Sequence, residues 1–256
     1  MKRVRIIPSL LIQKGGLVKS VKFKDHKYVG DPINAVKIFN DKEVDEIVVL
    51  DISATKEKRP PNIKQIREIA SEAFMPLGYG GGITRLEEIK ELISIGIEKV
   101  IINSSAYDKP ELLSLGAKYV GSQSIVVSID VKKNIWGKYK VYTHNGSTNT
   151  NQDPVTFARQ MEEAGVGEIL LNSIDRDGTF GGYDLELIAS VSNAVNIPVV
   201  AIGGASSVED FTSAVRAGAS AASAGSLFVF QRPHRAVLIS YPEQAELKQK
   251  VFEQIK

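Results

Sequence analysis

The chain has 256 residues, 43% of them hydrophobic and 24% charged, so it can bury the core of one barrel-sized domain or two smaller ones. A net charge of +2 gives no indication of a nucleic-acid or membrane surface, and the absence of cysteine excludes disulfides, thiolate nucleophiles and cysteine-type zinc sites. His26, His144 and His234 lack metal-ligand spacing, no apolar run approaches ~20 residues, and no signal-peptide core follows Met1. We therefore expect a cytoplasmic protein without a metal or cofactor.

Short runs rich in Val, Ile and Leu alternate along the chain with segments of helical period, which predicts repeated βα units. The predicted strands are residues 3–11, 46–51, 75–79, 99–102, 124–130, 168–172, 198–202 and 219–224. Eight such units predict a single (β/α)8 TIM barrel over residues 1–256, because closure removes both edges of the sheet. Residues 132–143 are expected to form a small hairpin after the fifth strand.

Helix ends are signalled by capping residues. Helix starts are predicted at Asp31, Asp108 and Asp153, which lie just before prolines and can accept hydrogen bonds from exposed amides. Helix stops are predicted at Gly96, Gly165 and Gly218.

The chain matches itself at a fixed offset of 122 residues without a gap. The matched positions are Asp31-Pro32 with Asp153-Pro154, Glu46 with Glu168, Pro76 with Pro198, Gly81-Gly82 with Gly203-Gly204, and Ser104 with Ser226. Several residue types in one register indicate a duplicated half. We predict half-barrels at about 1–122 and 123–244, related by approximate twofold symmetry and followed by a C-terminal helical extension.

Glycines and serines follow the predicted strands where a barrel carries its reactive groups. Gly80-Gly81-Gly82 ends the third strand and Gly203-Gly204 the seventh, while Ser104 and Ser226 end the fourth and eighth. Bare backbone amides beside a hydroxyl suit a phosphate, so two cradles predict a ligand with a phosphate at each end. The alternative is that these glycines only make tight turns.

Candidate acids and bases lie between the two cradles. Asp51, Asp130, Asp175 and Asp177 follow predicted strands, and Asp130 is the first choice for a general acid or base. Asp51 is a second candidate, and for both residues the alternative is a carboxylate that holds a loop. Lys19, in a predicted glycine-rich loop at residues 15–19, is expected either to bind an anion or to be solvated.

These motifs resemble the cyclase subunit of imidazole glycerol phosphate synthase, the HisF family, over nearly the whole chain. The matching segments are Ile6-Ile7-Pro8, Gly30-Asp31-Pro32, Leu50-Asp51-Ile52, Gly80-Gly81-Gly82-Ile83, Ile102-Asn103-Ser104, Gly121-Ser122-Gln123, Asp175-Arg176-Asp177-Gly178-Thr179, Gly181-Gly182-Tyr183-Asp184 and Gly203-Gly204-Ala205. The resemblance implies a barrel that binds a bisphosphate. It assigns one phosphate to Gly82, Asn103 and Ser104, and the other to Asp177, Gly178, Gly204, Gly225 and Ser226.

The resemblance also implies a partner, a HisH-like glutaminase that forms a heterodimer at the opposite barrel face and delivers ammonia through a charged ring. The matching residues are Arg5, Glu46, Lys99 and Glu168. Each lies at the start of a predicted strand, so the four should alternate in charge and pair with one another. Ordinary salt bridges at the bottom of the barrel are the alternative.

The first strand departs from the family pattern. Where the family continues Cys-Leu-Asp, this chain has Ser9-Leu10-Leu11, so Leu11 replaces one of two catalytic aspartates. Loss of a positioned general acid or base costs about 10²- to 10⁴-fold in rate. The family's usual threonine at the end of the sixth strand is Asn172, and a small polar residue before the seventh-strand glycines is Ile202.

A HisF paralogue branch associated with glycan biosynthesis shares further segments with this chain. They are Leu10-Leu11, Gly16-Leu17-Val18-Lys19, Lys22-Phe23-Lys24, Lys27-Tyr28-Val29-Gly30, Gly225-Ser226-Leu227-Phe228-Val229-Phe230 and His234-Arg235-Ala236-Val237-Leu238-Ile239-Ser240-Tyr241-Pro242. This resemblance implies work with a glutaminase and a separate sugar amidotransferase, placing an acetamidino group on a nucleotide-activated sugar of surface polysaccharide.

Three hypotheses therefore stand. The first is the ammonia-channelling synthase subunit of that system. The second is a working imidazole glycerol phosphate synthase cyclase in histidine biosynthesis, with Asp130 and Asp51 covering for the missing aspartate. The third is an adaptor that binds a phosphorylated ligand and activates its glutaminase without chemistry of its own.

Overall fold

The computed structural model describes residues 3–231, 234 and 236–255. Met1 and Arg235, which entered the sequence argument, lie outside these residues. The barrel strands are β1 (Arg5–Gln13), β2 (Ile47–Asp51), β3 (Leu77–Gly80), β4 (Lys99–Ile102), β5 (Ile125–Lys133), β6 (Glu168–Ser173), β7 (Val199–Ile202) and β8 (Ala221–Ala224). Neighbouring strands pair in parallel, and β5 pairs with β6 while β8 pairs with β1, so the sheet is closed. The predicted TIM barrel is confirmed.

Helices follow the strands and cover the outside of the barrel. They are α1 (Pro32–Asp41), α2 (Ile63–Ala70), α3 (Leu86–Ser94), α4 (Ser104–Asp108), α5 (Glu111–Val120), α6 (Pro154–Glu163), α7 (Leu185–Ser192), α8 (Glu209–Arg216), α9 (Ser226–Val229) and α10 (Gln244–Leu247), the last continuing as a π-helical turn, Lys248–Phe252. Val251 and Phe252 of that turn are buried, which ties the C-terminal helical segment to the barrel. Within the described residues, every helix is too short or too polar to cross a membrane.

Most of the predicted helix boundaries are confirmed. Asp31 accepts from the Asn34 amide, and Asp153 accepts from the Val155 and Thr156 amides. Gly96, Gly165 and Gly218 follow helices at positive φ. The prediction for Asp108 was wrong: it is the last residue of α4, and Pro110 precedes the first residue of α5. The Asp-Lys-Pro spacing leaves the aspartate before the connection between the two helices, too early to cap the second one.

Two hairpins extend β strands beyond the barrel at its carboxyl end. The predicted insertion after β5 is confirmed, since β5 runs to Lys133 and pairs antiparallel with Tyr139–Thr143. The loop predicted at residues 15–19 was wrong: Gly16–Val21 pairs antiparallel with the end of β1 and with Lys24–Gly30. The reason is that β1 overruns the barrel, and its exposed backbone groups pair with the segment that follows.

The barrel interior is built in three levels by the alternation of side chains along each strand. On β6, Glu168, Leu170 and Asn172 point the same way, from the amino end to the carboxyl end of the strand. The middle level is an apolar layer of Ile7, Val48, Ile101, Val126, Leu170, Val200 and Ala221. Alternate residues such as Ile169 and Leu171 instead join the larger core between sheet and helices.

Candidate functional site

Four charged side chains close the amino-terminal end of the barrel. Arg5 binds both Glu46 and Glu168 through its two terminal nitrogens. Lys99 Nζ also binds both carboxylates, at 3.1 Å from Glu46 and 2.7 Å from Glu168. The structure thus brings the four predicted residues together as a closed charged ring in which each cation bridges both anions.

The charged ring satisfies itself electrostatically. The Glu46 and Glu168 side chains are 3% and 9% exposed, whereas Arg5 is 32% exposed and reaches toward solvent. Burial works to lower the pKa of Arg5, but the two carboxylates outweigh it and the net pKa is raised. Because the buried carboxylates have two cations between them, the cost of their burial is offset within the chain.

Above the apolar layer, the carboxyl ends of the strands surround a cavity of about 130 Å³, which we call the mouth chamber. Its lining includes the predicted residues Leu11, Lys19, Asp51, Asn103, Ser104, Asp130, Asn172, Asp177, Gly178, Ile202, Gly204, Gly225 and Ser226. Gly82 follows the lining residues Gly80 and Gly81 but is not itself part of the lining. A Cβ on Gly82 would collide with the Arg59 carbonyl oxygen. Asp175 is engaged elsewhere, since its carboxylate accepts from the Lys133 amide at 2.9 Å.

Asp130 is a buried acid on β5 that lines the mouth chamber. Asn103 donates to one of its oxygens at 3.0 Å and Asn172 to the other at 3.2 Å. Burial raises the pKa of Asp130 to about 7, although the two amide donors oppose the shift. A carboxyl group that titrates near neutral pH can both give and take a proton, as general acid–base chemistry requires.

Asp51 also lines the mouth chamber, but its oxygens are held by its own loop. Arg59 approaches at 2.8 Å, and Asp51 accepts from the Ser53 hydroxyl at 2.9 Å and from the Ser53 and Ala54 amides. This geometry fits the loop-holding alternative weighed above better than a proton-transfer role.

One predicted cradle lies at the ends of β3 and β4. The Asn103 amide is turned to Asp130 and to the Ser128 carbonyl, while Ser104 Oγ accepts from the His144 amide at 3.0 Å. Ser104 is also the first residue of α4, so its hydroxyl sits beside free backbone amides. An anion here would meet helix amides and the hydroxyl together.

The second predicted cradle gathers around Lys19. Its Nζ donates to the Ser9 carbonyl at 2.5 Å and lies where a Cβ on Gly225 would be, so a side chain at position 225 would displace the Lys19 ammonium group. Lys19 is only 5% exposed, which excludes the alternative that it is a solvated side chain. Burial lowers its pKa to about 8, although Asp177 acts to raise it. Burial likewise raises the pKa of Asp177, with Lys19 acting against it. Burial therefore disfavours the charged form of both groups, and an anion bound beside Lys19 would favour its charge.

The sequence reasoning missed residues on the first hairpin. Phe23 and His26 line the mouth chamber, and Ser20 Oγ donates to Asp177 at 3.1 Å. A Cβ on Gly178 would collide with the Ser20 carbonyl, so this hairpin lies directly on the second cradle. No alternation of apolar and polar residues marks the first strand of this hairpin, because Leu17 and Val18 are adjacent and both buried, and the neighbouring glycine pair favoured a loop.

The four departures from the family pattern, at Ser9, Leu11, Asn172 and Ile202, all line the mouth chamber. Leu11 presents a half-buried alkyl group, Asn172 donates to Asp130, and Ile202 extends the apolar layer. Among the described residues no cluster of three His, Asp or Glu groups has the arrangement of a metal site.

The fold and site together define a closed (β/α)8 barrel with a charged ring at one end and an anion-suited chamber at the other. A family of proteins described as "Histidine biosynthesis protein" matches residues 5–233. The chain belongs to that family, and within it to the HisF proteins.

Individual relatives cover nearly the whole chain. A Pseudomonas aeruginosa protein named "Putative imidazole glycerol phosphate synthase subunit hisF2" is 51% identical over 96% of this chain and 99% of its own length. A Leptospira interrogans protein named "Putative imidazole glycerol phosphate synthase subunit HisF" is 48% identical over 96% and 98%. The "Imidazole glycerol phosphate synthase subunit HisF" of Alkaliphilus metalliredigens is 47% identical over 88% and 89%.

Proposed function

We propose that this chain is the ammonia-receiving synthase subunit of a glutamine amidotransferase. A HisH-like glutaminase docks at its amino-terminal face, and a separate sugar amidotransferase works with it to form an acetamidino group on a nucleotide-activated sugar for surface polysaccharide. The observation that carries the proposal is the contrast between a complete charged ring and a mouth chamber in which Leu11 occupies the position of a catalytic aspartate.

The charged ring supports ammonia entry. Neutral ammonia released by a glutaminase would meet two buried carboxylates bridged by Arg5 and Lys99, and then the apolar layer. A charged ammonium ion is disfavoured in that layer, whereas ammonia crosses it at a smaller desolvation cost. The amino-terminal face also exposes Phe74 by 87% and Tyr119 by 59%, which offers apolar anchors to a partner.

The residues of the mouth chamber support a reaction other than the family's cyclisation. A leucine at position 11 cannot transfer a proton, so Asp130 is the buried acid left at the chamber's polar side. Cyclisation that needs two positioned carboxyl groups would lose about 10²- to 10⁴-fold in rate with one of them absent.

The proposal is tested by reconstitution with purified proteins. Glutamine, the nucleotide sugar, a HisH-like glutaminase and the sugar amidotransferase should give the amidine only when this chain is present. Equal product without this chain would overturn the proposal. Glu168→Gln serves as the matched control, because it keeps the shape of the ring side chain and should impair transfer from glutamine while the chain stays folded.

A cyclase of histidine biosynthesis is the second candidate. Asp130, with a pKa of about 7, retains the proton-transfer capacity that such a reaction needs, and the Alkaliphilus metalliredigens relative is named for it. Turnover of the family's bisphosphate substrate with excess ammonium salt separates the two candidates. We expect the wild type to show none and Leu11→Asp to gain activity, since the substitution restores a second carboxyl group.

Turnover by the wild type would instead favour the cyclase. Growth of a histidine auxotroph that lacks its own cyclase, supplied with this chain, checks the same point in cells. Growth there, together with turnover in vitro, would replace the first candidate with the second.

A further inference from the structure

The mouth chamber has two chemically different sides. The consecutive strands β4, β5 and β6 form a polar wall of Asn103, Ser128, Asp130 and Asn172. The strands β7, β8, β1 and β2 form an apolar wall of Ile202, Ala224, Leu11, Leu50 and, just past β2, Ile52. Gly80 and Gly81, at the end of β3, separate the two walls on one side, and Ile101 and Leu170 of the apolar layer line the chamber below the polar wall.

The apolar wall is packed as one surface. Leu11 and Leu50 are directly opposite each other in the pairing of β1 with β2. Leu50 Cδ2 lies 2.9 Å from where a Cβ on Gly80 would be, so this side chain leans across onto β3. Leu50 and Ile202 also pack on the apolar layer beneath, yet each remains partly exposed to the chamber.

The polar groups on this side are already engaged: the Asp51 carboxylate, at the end of β2, binds Arg59 and accepts from its own loop. Ser9 lies on the same side, but its Oγ is buried from solvent. Lys19 Nζ is near too, although it is turned to the Ser9 carbonyl at the second cradle. A ligand hydroxyl placed against Leu11, Leu50 or Ile202 would leave water without gaining a partner, which is unfavourable.

We propose that the mouth chamber selects a phosphorylated ligand whose middle segment is poor in hydroxyl groups where it faces the apolar wall. Phosphate groups would occupy the two cradles, and the polar wall would contact one edge of the segment through Asn103, Asp130 and Asn172. The inference rests on the phosphate-binding part of the proposed function. It names Leu11, Leu50 and Ile202 as residues that determine specificity.

The test compares two bisphosphates of equal chain length by calorimetry on the full chain. Hexane-1,6-diol bisphosphate has a bare alkyl segment, and glucitol 1,6-bisphosphate carries hydroxyls along it. We expect the wild type to bind the alkyl compound about tenfold or more tightly, a factor that one unsatisfied polar group can produce. Leu11→Asn and, separately, Ile202→Ser should move the affinity ratio toward one.

Leu115→Asn is the matched control, because this leucine is 48% exposed on α5 and faces away from the chamber. It should leave the ratio unchanged. If Leu11→Asn fails to fold, Ile202→Ser still decides the question, since the residue is at the end of a different strand.

A wild-type ratio near one, or a ratio that neither variant moves, overturns the inference and leaves the phosphate cradles standing. Absence of binding by either compound overturns it together with the phosphate-binding part of the proposed function. If the reconstituted system makes the amidine equally well without this chain, but the wild type still prefers the alkyl bisphosphate, only the amidotransferase role is overturned.

Discussion

The two ends of the barrel treat buried charge in opposite ways. In the charged ring, two cations and two carboxylates pair within the chain, and each cation bridges both anions. In the mouth chamber, Asp130 is held by two neutral amides and Lys19 by a backbone carbonyl. The ring pairs its charged groups with one another, while burial in the chamber raises the pKa of Asp130 to about 7 and lowers the pKa of Lys19 to about 8. Fully paired charge is suited to a barrier, and unpaired charge to a site that a ligand completes.

The apolar layer separates these two environments. Along β1, Arg5 belongs to the ring, Ile7 to the layer and Leu11 to the chamber. A change at one end should therefore leave the electrostatics of the other largely intact.

The largest effect is expected from charge reversal in the ring. Glu168→Lys places a third cation beside Arg5 and Lys99 and removes a partner from both, which should lower the free energy of unfolding by about 3–5 kcal/mol. Urea denaturation measures this. Glu163→Lys, at an exposed position of α6, is the control and should change it by less than about 0.5 kcal/mol.

The same ring variant tests the gate. If the ring passes ammonia, glutamine-dependent activity in the reconstituted system should fall more than activity with added ammonium salt. Equal losses would mean that the ring is structural only. The milder Glu168→Gln, which keeps the shape of the side chain, should show the same order of losses if the fold of Glu168→Lys is too unstable to assay.

A smaller effect is expected from Asp130→Asn, and it should depend on pH. The pKa of Asp130 rises from 3.8 to about 7 on folding, so the folded chain binds the extra proton between those values. The contribution of Asp130 to the free energy of unfolding is therefore complete below pH 4. It decreases by roughly 3–4 kcal/mol as the pH rises toward 7. The asparagine variant lacks this loss.

Denaturation of both proteins at pH 4 and pH 8 checks the sign. The free energy of unfolding of Asp130→Asn, relative to that of the wild type, should be higher at pH 8 than at pH 4. If the difference in unfolding free energy between variant and wild type is the same at both pH values, or falls at pH 8, Asp130 ionises at little cost in the folded chain.

The smallest effect is expected at Lys19. Its pKa of about 8 means that it loses its charge across pH 7 to 9, so binding of sulfate, whose own charge is constant there, should weaken several-fold. Lys19→Met should bind sulfate more weakly and without this pH dependence. Lys14→Met, at an exposed position, is the control. An unchanged profile in Lys19→Met would remove Lys19 from the second cradle.

Local patterns predicted most of the barrel. Runs of Val, Ile and Leu predicted most of the strands, although β8 is an alanine-rich segment and β3 contains two glycines. The Asp-Pro pairs at Asp31 and Asp153 predicted two helix starts with their caps. Asp108 and the first hairpin were missed because both depend on what a neighbouring segment does. The pairing of Gly16–Val21 with β1 is a contact that residues 15–19 alone do not encode.

The candidate site divides in the same way. The sequence by itself determined which residue types stand at the strand ends, and its resemblance to the HisF family singled out Leu11 in place of an aspartate and the four ring residues. Only the tertiary structure decided that Asp51 is held by Arg59, that Lys19 is buried under Gly225, and that the chamber has an apolar and a polar wall. The physical reason is that partners, burial and hence charge state arise between distant segments, which meet only when the barrel closes.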